Sequence, residues 1–214
     1  MPRARFNIER YRSRGAVAVW PMSTASGRDV SGNGIDASAV GSPTYSGSIL
    51  RTDGSSYLSF AGGDSRFDVG NEITITGWSI ATQLTVHTGI CDWIKSGSTD
   101  RGFSHYHTND YARGWLYPAS SADGPVYAVG DLHHYAVAMS DADNTVRLYV
   151  DGSQYDTVPF TGDVSYNALD SGMIAKFHAY SGAIDVTDIR YYGRALTAEE
   201  VSKIYQQGKA TYDA

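Results

Sequence analysis

Two short runs set the pattern of this chain. Ile73–Trp78 (ITITGW) alternates apolar and polar residues with period two, as a half-buried strand does. Val146–Val150 (VRLYV) does the same and places Val146, Leu148 and Val150 on one face. Asp151-Gly152 follows at once, and Asp-Gly after a strand-like run predicts a hairpin. Tyr135–Met139 (YAVAM) predicts the strand before it, joined through Ser140–Asn144. Similar runs, separated by Gly, Ser, Asp and Asn about every ten residues, recur from Trp20 onward. That spacing predicts an antiparallel sandwich or barrel rather than βαβ units.

The pattern changes at Asp188–Gly208 (DIRYYGRALTAEEVSKIYQQG), which predicts a strand, a turn and a helix. Thr197 and Glu200 are spaced as a capping box, and Leu196 and Val201 as the hydrophobic staple across it. Val201, Ile204 and Tyr205 form an apolar stripe at helical spacing, with Gly208 as the predicted stop. A helix this short is marginal alone in water, so it must dock on the β structure.

Composition narrows the reading. The 214 residues are enough for one sizeable all-β domain with its own core. Cys91 is the one cysteine, which excludes an intrachain disulfide and predicts a thiol used as core filler. No apolar run approaches membrane-spanning length, and Gly15–Trp20 is too short for a signal-peptide core. Residues 1–16 carry Arg3, Arg5, Arg10, Arg12 and Arg14 against Glu9, a net charge of +4, which leaves −10 of the overall −6 for the rest. An acidic body argues against nucleic acid, since phosphate wants a basic face. The basic arm reads either as a terminus resting on its own acidic body or as an anchor into a larger assembly. Phe6 and Ile8 among Arg3, Arg5, Arg10 and Arg12 support the anchor.

Trp20-Pro21-Met22, Asp29–Gly34 (DVSGNG), Asp53-Gly54 with Tyr57-Leu58, Ile73–Trp78, Leu132–Ala136 (LHHYA), Val146–Gly152 and DIRYYGRALTAEEV occur in an order that resembles the laminin G-like domains of the concanavalin A-like jelly-roll group. The resemblance covers residues 17–208. Leu132 departs from it, standing where the family usually has Trp, and so does Thr187, where an acid is frequent. The resemblance implies an all-β, two-sheet antiparallel jelly-roll sandwich with a short C-terminal helix on its edge, preceded by the arm 1–16. It says less about function, because one sandwich serves lectins, adhesion modules, virion proteins and glycosidases.

Candidate chemistry falls into three groups. Glycosidases on related folds use paired carboxylates, but the four glutamates, Glu9, Glu72, Glu199 and Glu200, lie in the arm, a turn and the first helical turn. The chain is therefore expected not to be an enzyme. Asp29, Ser31 and Asn33, with Gly34 at position six, match the first half of a calcium loop; Val40 stands where its closing Glu would be. By the family resemblance Asp53 or Asp188 would complete a structural Ca2+ site, while the alternative is an Asx turn bonded to its own backbone. Finally, Trp93, His105, His107, Tyr111, Trp115 and Tyr117 crowd one segment. Such rings either stack on sugars or fill the space between sheets.

The expected function is a non-catalytic structural or adhesion protein, a phage capsid-decoration or tail-fibre component held in its virion by the arm. It would be oligomeric or assembly-bound, with no membrane insertion, and would present the aromatic cluster to a cell-surface glycan. The alternatives are a free-standing carbohydrate-binding lectin, extracellular or at the cell surface, and a glycosidase.

Overall fold

The alternating runs become strands that pair antiparallel into two packed sheets. The computed structural model describes residues 15–23, 26–67, 72–83, 87–94, 101–108, 111–116, 120–126, 128–160, 171–178, 180 and 182–212. In chain order the strands are β1 (Ala16–Trp20), β2 (Ser38–Val40), β3 (Thr44–Ser46), β4 (Ile49–Arg51), β5 (Tyr57–Ala61), β6 (Ile73–Ala81), β7 (Thr88–Ile94), β8 (Arg101–Thr108), β9 (Tyr111–Leu116), β10 (Ser120–Val126), β11 (Leu132–Ser140), β12 (Thr145–Val150), β13 (Ser153–Pro159), β14 (Ser171–Ile174) and β15 (Ile184–Tyr192), and the helix α1 is Ala198–Tyr212. One sheet runs β13-β12-β11-β6-β15-β4-β3, with β1 also paired to β15; the other runs β10-β9-β8-β7-β14-β5-β2. This is the jelly-roll sandwich that the resemblance implies.

The core lies between the sheets. Ile75, Tyr135, Val137, Met139 and Leu148 of the first sheet meet Leu58, Phe60, Ile90, Cys91 and Ile174 of the second. Each fully buried aliphatic of this kind contributes about 1.5–3 kcal/mol. Cys91 is core filler as expected, and burial pushes its thiol well above the usual range. Asp151 and Gly152 both take positive φ, 47° and 77°, which closes the β12–β13 hairpin as a primed turn.

The polar half of the β6 alternation is also buried, because α1 covers the first sheet's outer face. Thr74 Oγ1 donates to Arg194 O at 3.0 Å and accepts from Leu196 N at 2.9 Å; Thr76 Oγ1 meets His134 Nε2 at 2.6 Å. Ala136 and Ala138 of β11 are small enough to admit the helix, whose Val201 and Ile204 pack there with Leu196, Tyr149 and Tyr192. The capping box forms as predicted: Glu200 N donates to Thr197 Oγ1 at 3.3 Å and Thr197 N to Glu200 Oε2 at 3.0 Å.

Gly208 does not end the helix, which continues to Tyr212. A Cβ on Gly208 would lie 2.4 Å from Trp78 Nε1, so glycine is there to let the helix press onto the indole. Tyr205 stacks on the same indole, with centroids 5.6 Å apart, and Tyr212 packs beside it at 5.2 Å.

Candidate functional site

The expected calcium residues are committed to other work. Asp29 Oδ1 accepts from Val19 N at 2.9 Å and Ser31 N at 2.8 Å. Its Oδ2 accepts from Ile35 N at 3.0 Å and lies 2.8 Å from Ser31 Oγ. Asn33 Nδ2 donates to Val17 O at 2.8 Å. The loop thus ties itself to β1 in the Asx-turn manner, with protein donors on both carboxylate oxygens of Asp29. Asp53 Oδ1 accepts from the amides and hydroxyls of Ser55 and Ser56; the Ser56 hydroxyl first, then the others, hold its carboxyl below the usual range. Asp188 is buried in a two-pronged ion pair with Arg190, at 2.8 and 2.5 Å. Among the described residues no group of three or more His, Cys, Asp or Glu could hold a metal ion. In this structure Asp29 and Asp188 thus carry protein partners on both carboxylate oxygens and Asp53 on Oδ1, while Ser31 and Asn33 bond to β1.

The predicted aromatic cluster falls on neighbouring strands of the seven-stranded sheet, but its members are not on one face. His107 points into the sandwich. It is 1 % exposed, its Nε2 lies 3.1 Å from Ser79 Oγ of the opposite sheet, and its ring meets Tyr135 edge-on at 5.1 Å. Burial, with a smaller contribution from His133, lowers its pKa to about 4. His107 is a neutral core histidine, not a surface ligand contact. The backbones of Trp93, His105 and Trp115 lie in β7, β8 and β9, and their side chains lie outside what is described. The same holds for all of Tyr117 and for Arg3, Arg5, Phe6, Ile8, Arg10 and Arg12 of the arm.

The strand register separates inward from outward positions. Leu58, Ile174, Cys91, His105, Gly114 and Ala122 form one continuous cross-strand row, and Leu58, Ile174 and Cys91 in it are core residues. In β9, Ala112 lies in the core and a Cβ on Gly114 would meet Val137, so their chain neighbours Tyr111 and Arg113 take the outward side. On this outward side Arg113 Nε and Nη2 donate to Asp123 Oδ1 and Oδ2 at 2.5 and 2.9 Å. Nη2 also donates to Tyr111 Oη at 2.7 Å, with the guanidinium 5.2 Å from the Tyr111 ring centre. Arg113 and Asp123 side chains are 27 % and 46 % exposed. An aromatic face beside a fixed set of donors and acceptors suits a ligand with both apolar ring faces and hydroxyls.

The chain matches the family model of the concanavalin A-like lectin/glucanases superfamily over residues 52–202. It belongs to that superfamily. No curated protein sequence matches it. Among solved structures, Trypanosoma rangeli sialidase is 17% identical, with 91% of this chain and 33% of that chain covered and a TM-score of 0.69. Domain 4 of AbnA, a GH43 extracellular arabinanase from Geobacillus stearothermophilus in complex with arabinotriose, is 20% identical, with 89% and 98% covered and a TM-score of 0.67. The receptor-binding domain of botulinum neurotoxin mosaic serotype C/D is 12% identical, with 90% and 51% covered and a TM-score of 0.71. The chain thus spans about a third of the sialidase it resembles.

These matches correct two expectations. The named structures come from two glycosidases and a toxin receptor-binding domain, so neither the assignment to a phage virion nor the exclusion of an enzyme stands. Within this concanavalin A-like sandwich, sequence reasoning passed over Arg113 and Asp123. Their alternation with Tyr111 across β9 and β10 was the available signal.

Proposed function

We propose that this domain binds carbohydrate on the outer side of its seven-stranded sheet, with Tyr111, Arg113 and Asp123 as the contact group. The observation that carries the reading is the Arg113 fork, held by Asp123 and Tyr111 in a fixed direction at the surface. A partly exposed ion pair adds only about 0–1 kcal/mol to stability, so its placement is better accounted for by a ligand. The near-complete coverage of the AbnA domain, whose structure holds arabinotriose, supports the same reading at the scale of a whole domain.

The test is a glycan array followed by calorimetry at millimolar sugar. Wild-type protein is expected to bind at least one sugar class, and Arg113→Ala to weaken that binding tenfold or more. An array on which the wild type binds nothing sinks the reading. Reducing-end release from the same glycans reads out hydrolysis directly.

A further inference from the structure

We propose that the carbohydrate site continues along the ends of the strands from Tyr111 to a second contact built by His87 and Tyr180, and so takes the interior of an extended glycan chain rather than a single terminal sugar. This rests on the carbohydrate reading above and specifies its ligand.

The register places the two contacts. Thr88, His107 and Ala112 form one cross-strand row, and all three are buried, with His107 reaching Ser79 of the other sheet. His87 and Tyr111 are their chain neighbours and take the opposite, outward side. Tyr111 pairs with Thr108, so β8 alone separates Tyr111 from His87. Two interstrand spacings are about 10 Å, longer than one sugar ring.

The far contact is built, not incidental. Tyr180 meets His87 edge-on, with centroids 4.5 Å apart, and keeps 43 % of its surface exposed. Phe177 is buried and stacks on Tyr180 at 5.5 Å. Their hairpin puts two non-glycine residues in the left-handed region, Ala175 at φ 62° and His178 at φ 46°, which costs of order 1 kcal/mol or more each. It is clamped by the buried Asp92, whose Oδ2 accepts from His178 N at 2.9 Å. The segment crosses so close to β7 that a Cβ on Gly89 would lie 2.0 Å from Lys176 O. Strain, a buried carboxylate and a side-chain-free crossing converge on a turn whose outward product is a supported, exposed tyrosine. Two aromatic contacts joined by one ligand act at high effective concentration, so a chain long enough to reach both gains affinity that a short one cannot.

The experiment uses linear arabino-, xylo- and β-1,4-gluco-oligosaccharides of one to six units with wild-type, Tyr180→Ala, Tyr180→Phe and His87→Ala proteins. Calorimetry is expected to show a gain of about tenfold or more between the shortest and longest members of the series that binds. Tyr180→Ala and His87→Ala should remove that gain and leave the shortest binding member unchanged, while Tyr180→Phe keeps it. Thermal melting within about 2 °C of wild type would confirm that the variants fold. Equal affinity for short and long chains overturns the proposal, as does a Tyr180→Ala variant that is unchanged on long chains or weakened equally on all. In each of those outcomes the carbohydrate reading survives. Failure of the wild type to bind any of these chains also overturns the proposal, and the glycan array then decides separately whether the carbohydrate reading stands.

Discussion

The two sheets of this sandwich treat their outer faces in opposite ways. On the eight-stranded sheet, α1 buries Ala136, Ala138, Tyr149 and Tyr192, and even the polar side chains there, Thr74, Thr76 and His134, face protein partners. On the seven-stranded sheet, the outer face presents Tyr111, Arg113 and Asp123 at half exposure. The two rings at the strand ends are supported by strained backbone rather than by a helix. One face is closed by a helix, and the other leaves charged and aromatic side chains partly exposed. Residues that look similar in the sequence, histidines and tyrosines beside aspartates, do different work according to the face they reach.

The comparison can be broken from either side. The largest effect is expected on the helix-covered face: Trp78→Ala removes the ring that Tyr205, Tyr212 and Gly208 pack against and should cost about 4 kcal/mol. In urea unfolding this would appear as a lower midpoint, with glycan affinity little changed. A loss under about 1 kcal/mol would mean that α1 is not what stabilises this face.

Next comes pH. Burial lowers His107 to about 4, and burial together with Arg190 lowers His134 to about 3, while both titrate near 6.5 when unfolded. Below about 6.5 the unfolded chain binds more protons, so stability falls as pH falls. It should be complete above that value and about 2.5 kcal/mol lower at pH 5.5 than at pH 7. His134→Gln should halve the slope of the urea midpoint against pH, and an unchanged slope would place the titrating groups elsewhere.

Gly208→Val should follow at about 2 kcal/mol. Overpacking against Trp78 outweighs the few tenths that replacing glycine in a helix returns. Faster amide exchange in α1 but not in β7–β9 is the expected signature. The smallest stability effect belongs to the contact face. Arg113→Ala should shift the melting point by no more than about 2 °C while glycan binding falls. A large loss of stability in Arg113→Ala would erase the distinction between the faces.

Much of the fold is legible in the chain because local chemistry carries it. The capping box Thr197–Glu200, the staple Leu196–Val201, the Asp151-Gly152 hairpin and the alternation in β6 and β12 all follow from neighbours a few residues apart. The site was less legible. Asp29–Gly34 has the spacing of a cation loop, yet Asp29 uses both oxygens on Val19, Ser31 and Ile35, and no local pattern states whether a carboxylate will meet an amide or an ion. Gly208 read as a stop because glycine commonly ends helices; its actual reason, the Trp78 indole, lies 130 residues away in the chain.

By itself, then, the sequence determined that its alternating runs are strands and where the helix begins, and its resemblance to laminin G-like domains implied the jelly roll. The first two depend on residue periodicity and on hydrogen bonds that close within a turn. Only the tertiary structure decided which side of each strand meets the core, the helix or the solvent. A one-residue difference in register moves every side chain to the other face. That is why His107 became a core residue while Tyr111, four positions on, became part of a surface.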